Sequence, residues 1–382
     1  MRAILAMAAT ALAPAATPPV ANAETVATAA RAAMARTGAK GLAIAVIDDG
    51  RVASVQTFGA RNAAGAPLTP RTIMYGASLT KTVFAWLVMQ LVEEGRVDLD
   101  KPIATMLAKP LPEYGNSDRY GNWGDLSGDP RWRTITPRMV LTHSTGFANF
   151  ADDEPDGKLR IRFDPGARYS YSGEGVMLLQ FGLEQGLGLD VQAELERRLF
   201  APLGMNDTSL IWRPAFAADL ADGWKADGSV EPHDERSKVR AAGSMDTTIA
   251  DLAKFAAALV RGYGLKRRAA MTAPLLPIRT ASRFPNFQPD TAKPIPGLAA
   301  GLGVIAFNGP QGPGFYKGGH NDSTGNTMVC IERGRRCVLI LANDVRAEAA
   351  FPGLVRTVLG DTGVPYAWEY PQLTATAAQP RS

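Results

Sequence analysis

The chain has 382 residues, 46% hydrophobic and 20% charged, with a formal net charge of +4. It is long enough to bury a large core, and its charge balance is ordinary for a globular protein. No Lys/Arg cluster is interleaved with aromatics, which argues against nucleic acid as a partner, and three scattered histidines with two cysteines do not make a closed metal site.

At the N-terminus one arginine precedes an apolar, Ala-rich run and then Ala21-Asn22-Ala23, a small-x-small pattern. This reads as a signal peptide over 1–23, cleaved after Ala23. The run is too short and too proline-broken to span a bilayer. No cysteine follows it to carry a lipid, and no later segment is apolar enough to be a membrane helix. The expected mature chain is exported, periplasmic or secreted, with no integral membrane segment, and monomeric.

The stretch 24–41 reads as a helix ending at Gly41. Two apolar runs around Asp49-Gly50 predict a β-hairpin. A helix is expected from Ser78 to Glu94, ended by Gly95. Its apolar residues Val83, Phe84, Leu87, Val88, Leu91 and Val92 nearly encircle it, as in a buried central helix. The stretch 111–133, rich in Gly, Asp and aromatics, has no periodicity and reads as a functional loop or insertion, with Trp123 and Trp132 as candidates to shape a substrate pocket. Helices are expected at about 137–143, 173–186, 190–200 and 248–262, and a Pro-rich loop at 285–297.

Strand signals return at 302–307, 327–332 and 337–343, followed by an amphipathic helix at 347–360. Strands at both ends and helices between predict an α+β fold, with one antiparallel sheet built from both termini and an all-helical region inserted. The expected division is 24–365 for the folded domain, with 24–95 and 296–365 as its α/β part and 96–295 mainly helical, then a tail over 366–382. The two cysteines flank the turn Glu332–Arg335, which sets Cys330 opposite Cys337. If those four residues form the loop, the pair occupies the closely spaced, non-hydrogen-bonded site; a two-residue loop would put it at the wider site. A disulfide and two buried thiols are both compatible with this placement.

The residues that carry chemistry begin with Ser78 and Lys81. A Ser-x-x-Lys spacing alone is weak, with roughly 0.4 matches expected by chance in such a chain. Its context strengthens it. Positions i and i+3 share a helix face, so the amine can reach the hydroxyl. The helix N-terminus favours a neutral amine and a developing alkoxide, provided water is excluded. Two further stretches offer partners. "FDPGARYSYSGEG" (163–175) carries Tyr171 at the approach to a helix. "GFYKGGHNDSTGN" (314–326) sets Lys317, Gly318, Gly319 and His320 just before a predicted strand.

Together these motifs resemble the penicillin-recognising serine hydrolases: class C β-lactamases, D-alanyl-D-alanine carboxypeptidases and related esterases and D-aminopeptidases. "SLTK" is similar to the family's first motif, "ITPRMVLTHSTGF" to its helix-and-loop hallmark, Tyr171-Ser172-Gly173 to its tyrosine motif, and "YKGGH" to its third, on a strand. The resemblance extends over about residues 25 to 360 and implies a β-lactamase/transpeptidase-like fold. It implies Ser78 as nucleophile, Lys81 and Tyr171 in proton transfer, and His320, Lys317, Gly319 and Gly173 at the substrate. His320 is the preferred cleft residue of the third motif, and His143 and Ser144 are expected to be structural. No metal or organic cofactor is implied.

The implied function is hydrolysis of an ester or amide through an acyl-enzyme. The implied partner is a small-molecule or peptide substrate: an ester, a D-amino-acid peptide or a β-lactam. The tyrosine motif departs from the β-lactam and peptide enzymes by ending in Gly173 where they carry asparagine. That tilts the expectation toward an esterase or peptidase. A class C-type β-lactamase or carboxypeptidase is the alternative activity, and a degenerate protein that only binds penicillin or cell-wall peptide is the non-enzymatic one.

Overall fold

The computed structural model describes residues 19–371, except 118, 267, 285, 286 and 292. Residues 1–18 of the expected leader and the tail beyond 371 lie outside the described residues.

Helix α1 (Ala23–Thr37) is capped by the Asn22 side chain, which accepts from the Thr25 N–H. It stops short of the expected Gly41 because Gly38 turns left-handed, with φ 74°, and closes the last turn onto the Met34 carbonyl. Strands β1 (Gly41–Asp48) and β2 (Arg51–Gly59) form the predicted hairpin. Its two-residue turn needs positive φ at both positions, which Asp49 and Gly50 adopt at 45° and 70°.

The remaining strands of the main sheet are β3 (Leu276–Pro277), β4 (Leu298–Ala300), β5 (Ile305–Gly309), β6 (Gly312–His320), β7 (Gly325–Ile331) and β8 (Arg336–Ala342). They run antiparallel in the order β2-β1-β8-β7-β6-β5-β4-β3, so strands from the two ends of the sequence meet where β1 pairs with β8. One expectation is corrected here. Lys317–His320 do lie just before the predicted strand, β7, but they are not in a loop: they are the last four residues of β6, a strand the pattern did not show. Glycines at 312, 314, 318 and 319 weaken a strand signal, which is why the pattern alone missed β6.

Both faces of β1 are apolar, and the two-residue period sends them into different cores. Ala43, Ala45 and Ile47 join the core of helices α2 (Thr80–Glu93) and α5 (Ile249–Arg261), whereas Leu42, Ile44 and Val46 join Val26 and Ala30 of α1 and Leu354, Val355 and Val358 of α6 (Phe351–Leu359). Helix α2 is buried on nearly every side, from Thr80 to Met89 and at Leu91, as its encircling apolar residues require. Between the two halves of the sheet lie the short helix α3 (Pro137–Leu141), helix α4 (Gly173–Phe181) and a series of single turns.

The 111–133 stretch folds into short 3₁₀ turns whose indoles point inward. Trp123 and Trp132 are buried in the core, Trp123 against Phe181 at 5.5 Å, so they do not shape a substrate pocket. The C-terminal boundary also moves: residues 366–369, assigned to the tail, form a helical turn, α7 (Tyr366–Glu369), with Trp368 and Tyr370 buried.

The Glu332–Arg335 loop has four residues, Cys330 is paired with Cys337 at a Cα separation of 4.1 Å, and the two form a disulfide. Closing so short a loop is expected to contribute about 2–3 kcal/mol. The double variant Cys330→Ala/Cys337→Ala should therefore melt several degrees lower than the parent in a calorimetric scan; an unchanged melting temperature would contradict this.

Candidate active site

The turn before α2 presents the serine. Its backbone is pinned by the Gly76 N–H donating to the Met245 carbonyl at 2.8 Å and the Thr80 hydroxyl donating to the Ala77 carbonyl at 2.5 Å. Ala77 is held at φ 47°, a left-handed conformation that costs an alanine on the order of 1 kcal/mol and survives only where surrounding contacts over-determine it. Ser78 follows on a 3₁₀ turn, two residues before α2 begins, with its side chain reaching into a cleft of about 1200 Å³.

Lys81, on the first turn of α2, is 2% exposed. Its Nζ lies 3.1 Å from Ser78 Oγ and also donates to the Ala242 carbonyl. Burial pushes this amine below its ordinary range, opposed in part by the nearby Tyr171 oxygen. Tyr171 sits just before α4, with Lys317 Nζ donating to its Oη at 3.3 Å and Lys81 Nζ 5.0 Å from its ring centroid. Burial alone would raise the phenol's pKa. Lys317, Lys81 and Arg283, with a hydrogen bond from Ser78, overcome it and hold the phenol well below its usual value. Burial likewise lowers Lys317 to about 8. Two amines and a phenol around one serine therefore share protons as a coupled group.

The hallmark loop frames this group. The Ser172 N–H donates to His143 Nδ1 at 3.2 Å, so the imidazole carries its proton on Nε2, and the ring lies 4.4 Å from that of Tyr171. Burial, with the cations Lys81, Lys317 and Arg283 behind it, keeps His143 neutral, its pKa well below 6.5. The Ser144 hydroxyl bonds the Met139 carbonyl. Both residues support the loop rather than face the cleft.

Of the third motif, Lys317 is buried beside Tyr171, whereas His320 stands at the cleft mouth, its ring stacked on Phe284 and its Nδ1 3.2 Å from Glu348 Oε1. Gly319 lies directly over the Ser78 turn: a Cβ there would sit 3.0 Å from the N of Ser78, the N of Leu79 and the Gly76 oxygen. The Asn321 N–H donates to the Thr324 carbonyl, so His320 and Gly325 form the non-hydrogen-bonded pair and the His320 N–H is not used by β7.

Gly173 is a different case. Its N–H donates to the Asn149 carbonyl at 3.0 Å and to Asn149 Oδ1 at 3.1 Å, and a Cβ would meet that carbonyl at 2.9 Å and the Phe150 ring at 3.1 Å. An asparagine side chain has no room at this position. Gly173 lies behind the cleft wall, and Asn149 and Phe150 line the cleft in front of it.

Asn149, Arg283 and Glu369 were not singled out from the sequence. Arg283 stands in an aperiodic loop with no local signal. Glu369 stands in "YAWEY", whose aromatics argue against a disordered tail and are a signal that could have been used. Among the described residues no group of His, Cys, Asp and Glu could hold a metal ion, and no helix is long and apolar enough to cross a membrane.

Comparison with known proteins agrees with this architecture. A family model described as Beta-lactamase matches residues 26–358. Beta-lactamase-like 1 of Homo sapiens is 30% identical over 258 residues, covering 61% of this chain and 48% of that protein. A lovastatin esterase of Penicillium rubens is 26% identical over 173 residues, 39% of this chain and 43% of its own. The chain thus spans about half the length of these two curated relatives. The crystal structure of a D-alanine carboxypeptidase AmpC from Burkholderia cenocepacia superposes with a TM-score of 0.69 at 20% identity, covering 88% of this chain and 98% of that one.

Proposed function

This chain belongs to the Beta-lactamase family, and from that membership and the site geometry we propose that it is an exported serine hydrolase that cleaves an ester or amide through an acyl-enzyme. The observation that carries the proposal is the buried Lys81 amine 3.1 Å from Ser78 Oγ, lowered in pKa by burial. A buried amine whose pKa is lowered loses its proton more readily than an exposed lysine does, and only the neutral amine can take a proton from a serine.

In the first half-reaction Ser78 Oγ bonds the substrate's carbonyl carbon while its proton passes to Lys81 Nζ, directly or by way of the Tyr171 oxygen. The negative oxygen that forms is held by the N–H of Ser78 and the N–H of His320, whose strand lies across the serine turn at Gly319. Each such donor is worth a few kcal/mol in the transition state. The C–O or C–N bond then breaks, and Tyr171 returns the proton to the departing alkoxide or amine. Water attacks the acyl-enzyme and gives a proton to the same phenolate; the bond between the acyl carbon and Ser78 Oγ then breaks, and Tyr171 passes the proton to Ser78 Oγ, which restores the serine. His320 and Asn149 meet the substrate at the cleft mouth.

Gly173 and the packing of Asn149 and Phe150 against it favour an ester over a β-lactam or a peptide, because no asparagine can stand where the β-lactam and peptide enzymes carry one. A relative named as an esterase is in keeping with this preference. Export fits the Cys330–Cys337 disulfide, since such bonds persist in oxidising compartments.

The test is to incubate the protein separately with a short-chain p-nitrophenyl ester, nitrocefin and a D-Ala-D-Ala peptide, following turnover and intact mass. The ester is expected to turn over with nitrocefin far slower. A lasting mass increase without turnover on any of the three would instead indicate a binding protein.

A further inference from the structure

We propose that Arg283 is a positioning residue for the Tyr171 phenol, held face-on to its ring by Glu369, so that the C-terminal segment completes the active site. The proposal rests on the acyl-enzyme reading given above.

The geometry is specific. Arg283 Cζ lies 4.3 Å from the Tyr171 ring centroid and 4.8 Å from that of Phe284. The Arg283 side chain is 7% exposed and its Glu369 partner 3%, and the two form an ion pair. A buried guanidinium without a counter-charge would be strongly disfavoured, so Glu369 is what permits Arg283 to occupy this place.

Glu369 is itself brought there by the chain around it. The Arg283 N–H donates to the Trp368 carbonyl at 2.9 Å, and Trp368 Nε1 donates to the Thr280 carbonyl at 3.0 Å, which ties 280–283 to α7. Strand β6 makes room for the pair: a Cβ at Gly318 would fall 2.4 Å from Glu369 Oε1 and 3.3 Å from an Arg283 nitrogen. The glycine between Lys317 and Gly319 thus has a local cause, the ion pair lying on it.

The groups facing Tyr171 explain what Arg283 adds. Lys81 comes from α2, Lys317 from β6, and Ser78 from the turn before α2. The neutral His143 ring comes from the loop after α3, Tyr169 from the same segment as Tyr171, and Glu369 stands behind Arg283. Both lysines exchange protons with the phenol and lose charge as pH rises. An arginine does not. Arg283 is the permanent cation of the cluster, and it keeps the phenol oxygen ready to accept a proton through the whole cycle.

The experiment reads the phenol directly. The pH-difference ultraviolet spectrum of the full-length protein, minus that of Tyr171→Phe, isolates the titration of Tyr171; the pH profile of kcat/KM on a p-nitrophenyl ester is recorded alongside it. The double variant Arg283→Met/Glu369→Met removes both charges together and leaves neither buried alone. Its Tyr171 titration and the acid limb of its profile are expected to rise by about one pH unit or more, a tenfold loss on the acid side. Glu369→Gln, the gentler change, is expected to move both in the same direction because Arg283 swings away.

An unmoved Tyr171 titration in the double variant overturns the proposal. A downward move in Glu369→Gln, as loss of a nearby negative charge alone would give, overturns the role of Glu369. The spectroscopic result stands apart from the chemistry: if Ser78→Ala keeps full activity, the acyl-enzyme reading fails while the phenol's titration can still be measured.

Discussion

Ser78→Ala is expected to lower kcat/KM on a short-chain ester by on the order of 10⁵–10⁶-fold. Losses of that size follow removal of a nucleophile that acts as one unit with its base, because what then remains is the catalysis supplied by the oxyanion donors and by binding alone. The variant should fold as the parent does. The Ser78 hydroxyl bonds the Lys81 amine at 3.1 Å and the Tyr171 phenol, and each such hydrogen bond contributes about 1 kcal/mol. Steady-state kinetics, together with intact mass after brief exposure to ester, reads the result: no burst and no acyl adduct. A loss under tenfold would mean that the covalent step is absent.

The second large effect is at Lys81. Lys81→Met and Lys81→Arg are each expected to lose about 10³-fold in kcat/KM, within the range typical of a lost general base. The arginine variant is the informative one. It keeps the positive charge beside Tyr171 but is never neutral at working pH. If Lys81 served only to hold charge near the phenol, arginine would restore most of the activity; such a rescue would remove Lys81 from proton transfer.

The pH dependence follows from the direction of the shift. Burial lowers the Lys81 amine from 10.5, so the neutral, proton-accepting form gains population at lower pH than a free lysine allows. In the parent, kcat/KM should climb with pH through the acid limb of the Lys81–Tyr171–Lys317 group and then level off. Protonation of that group on the acid side removes the base, and the limb belongs to the cluster rather than to one residue.

Much of the site was legible because its chemistry is local. Ser78 and Lys81 are three positions apart at the start of a helix whose apolar pattern already marked it as buried, and that pattern is what makes the amine dry. The Asp49-Gly50 hairpin and the Cys330–Cys337 pairing were equally local, a turn and a short loop with few geometries open to them. What the pattern misread was also physical. The glycines of 312–319 hid a strand, because a glycine has no side chain to show alternation. The aromatics of 111–133 looked like pocket residues, yet they are buried among core side chains.

The sequence by itself determined the serine with its lysine, the antiparallel sheet drawn from both ends, and the family resemblance, since each rests on short spacings or on the order of apolar runs. Tertiary structure alone decided which third-motif residue reaches the phenol: Lys317 bonds Tyr171 from 146 positions away, whereas His320 stays at the mouth. It also decided that Arg283, which lies over the Tyr171 ring, pairs with Glu369, 86 positions away. Contacts at such separations depend on the sheet bringing its two ends together, and no periodicity along the chain encodes which side chains then meet.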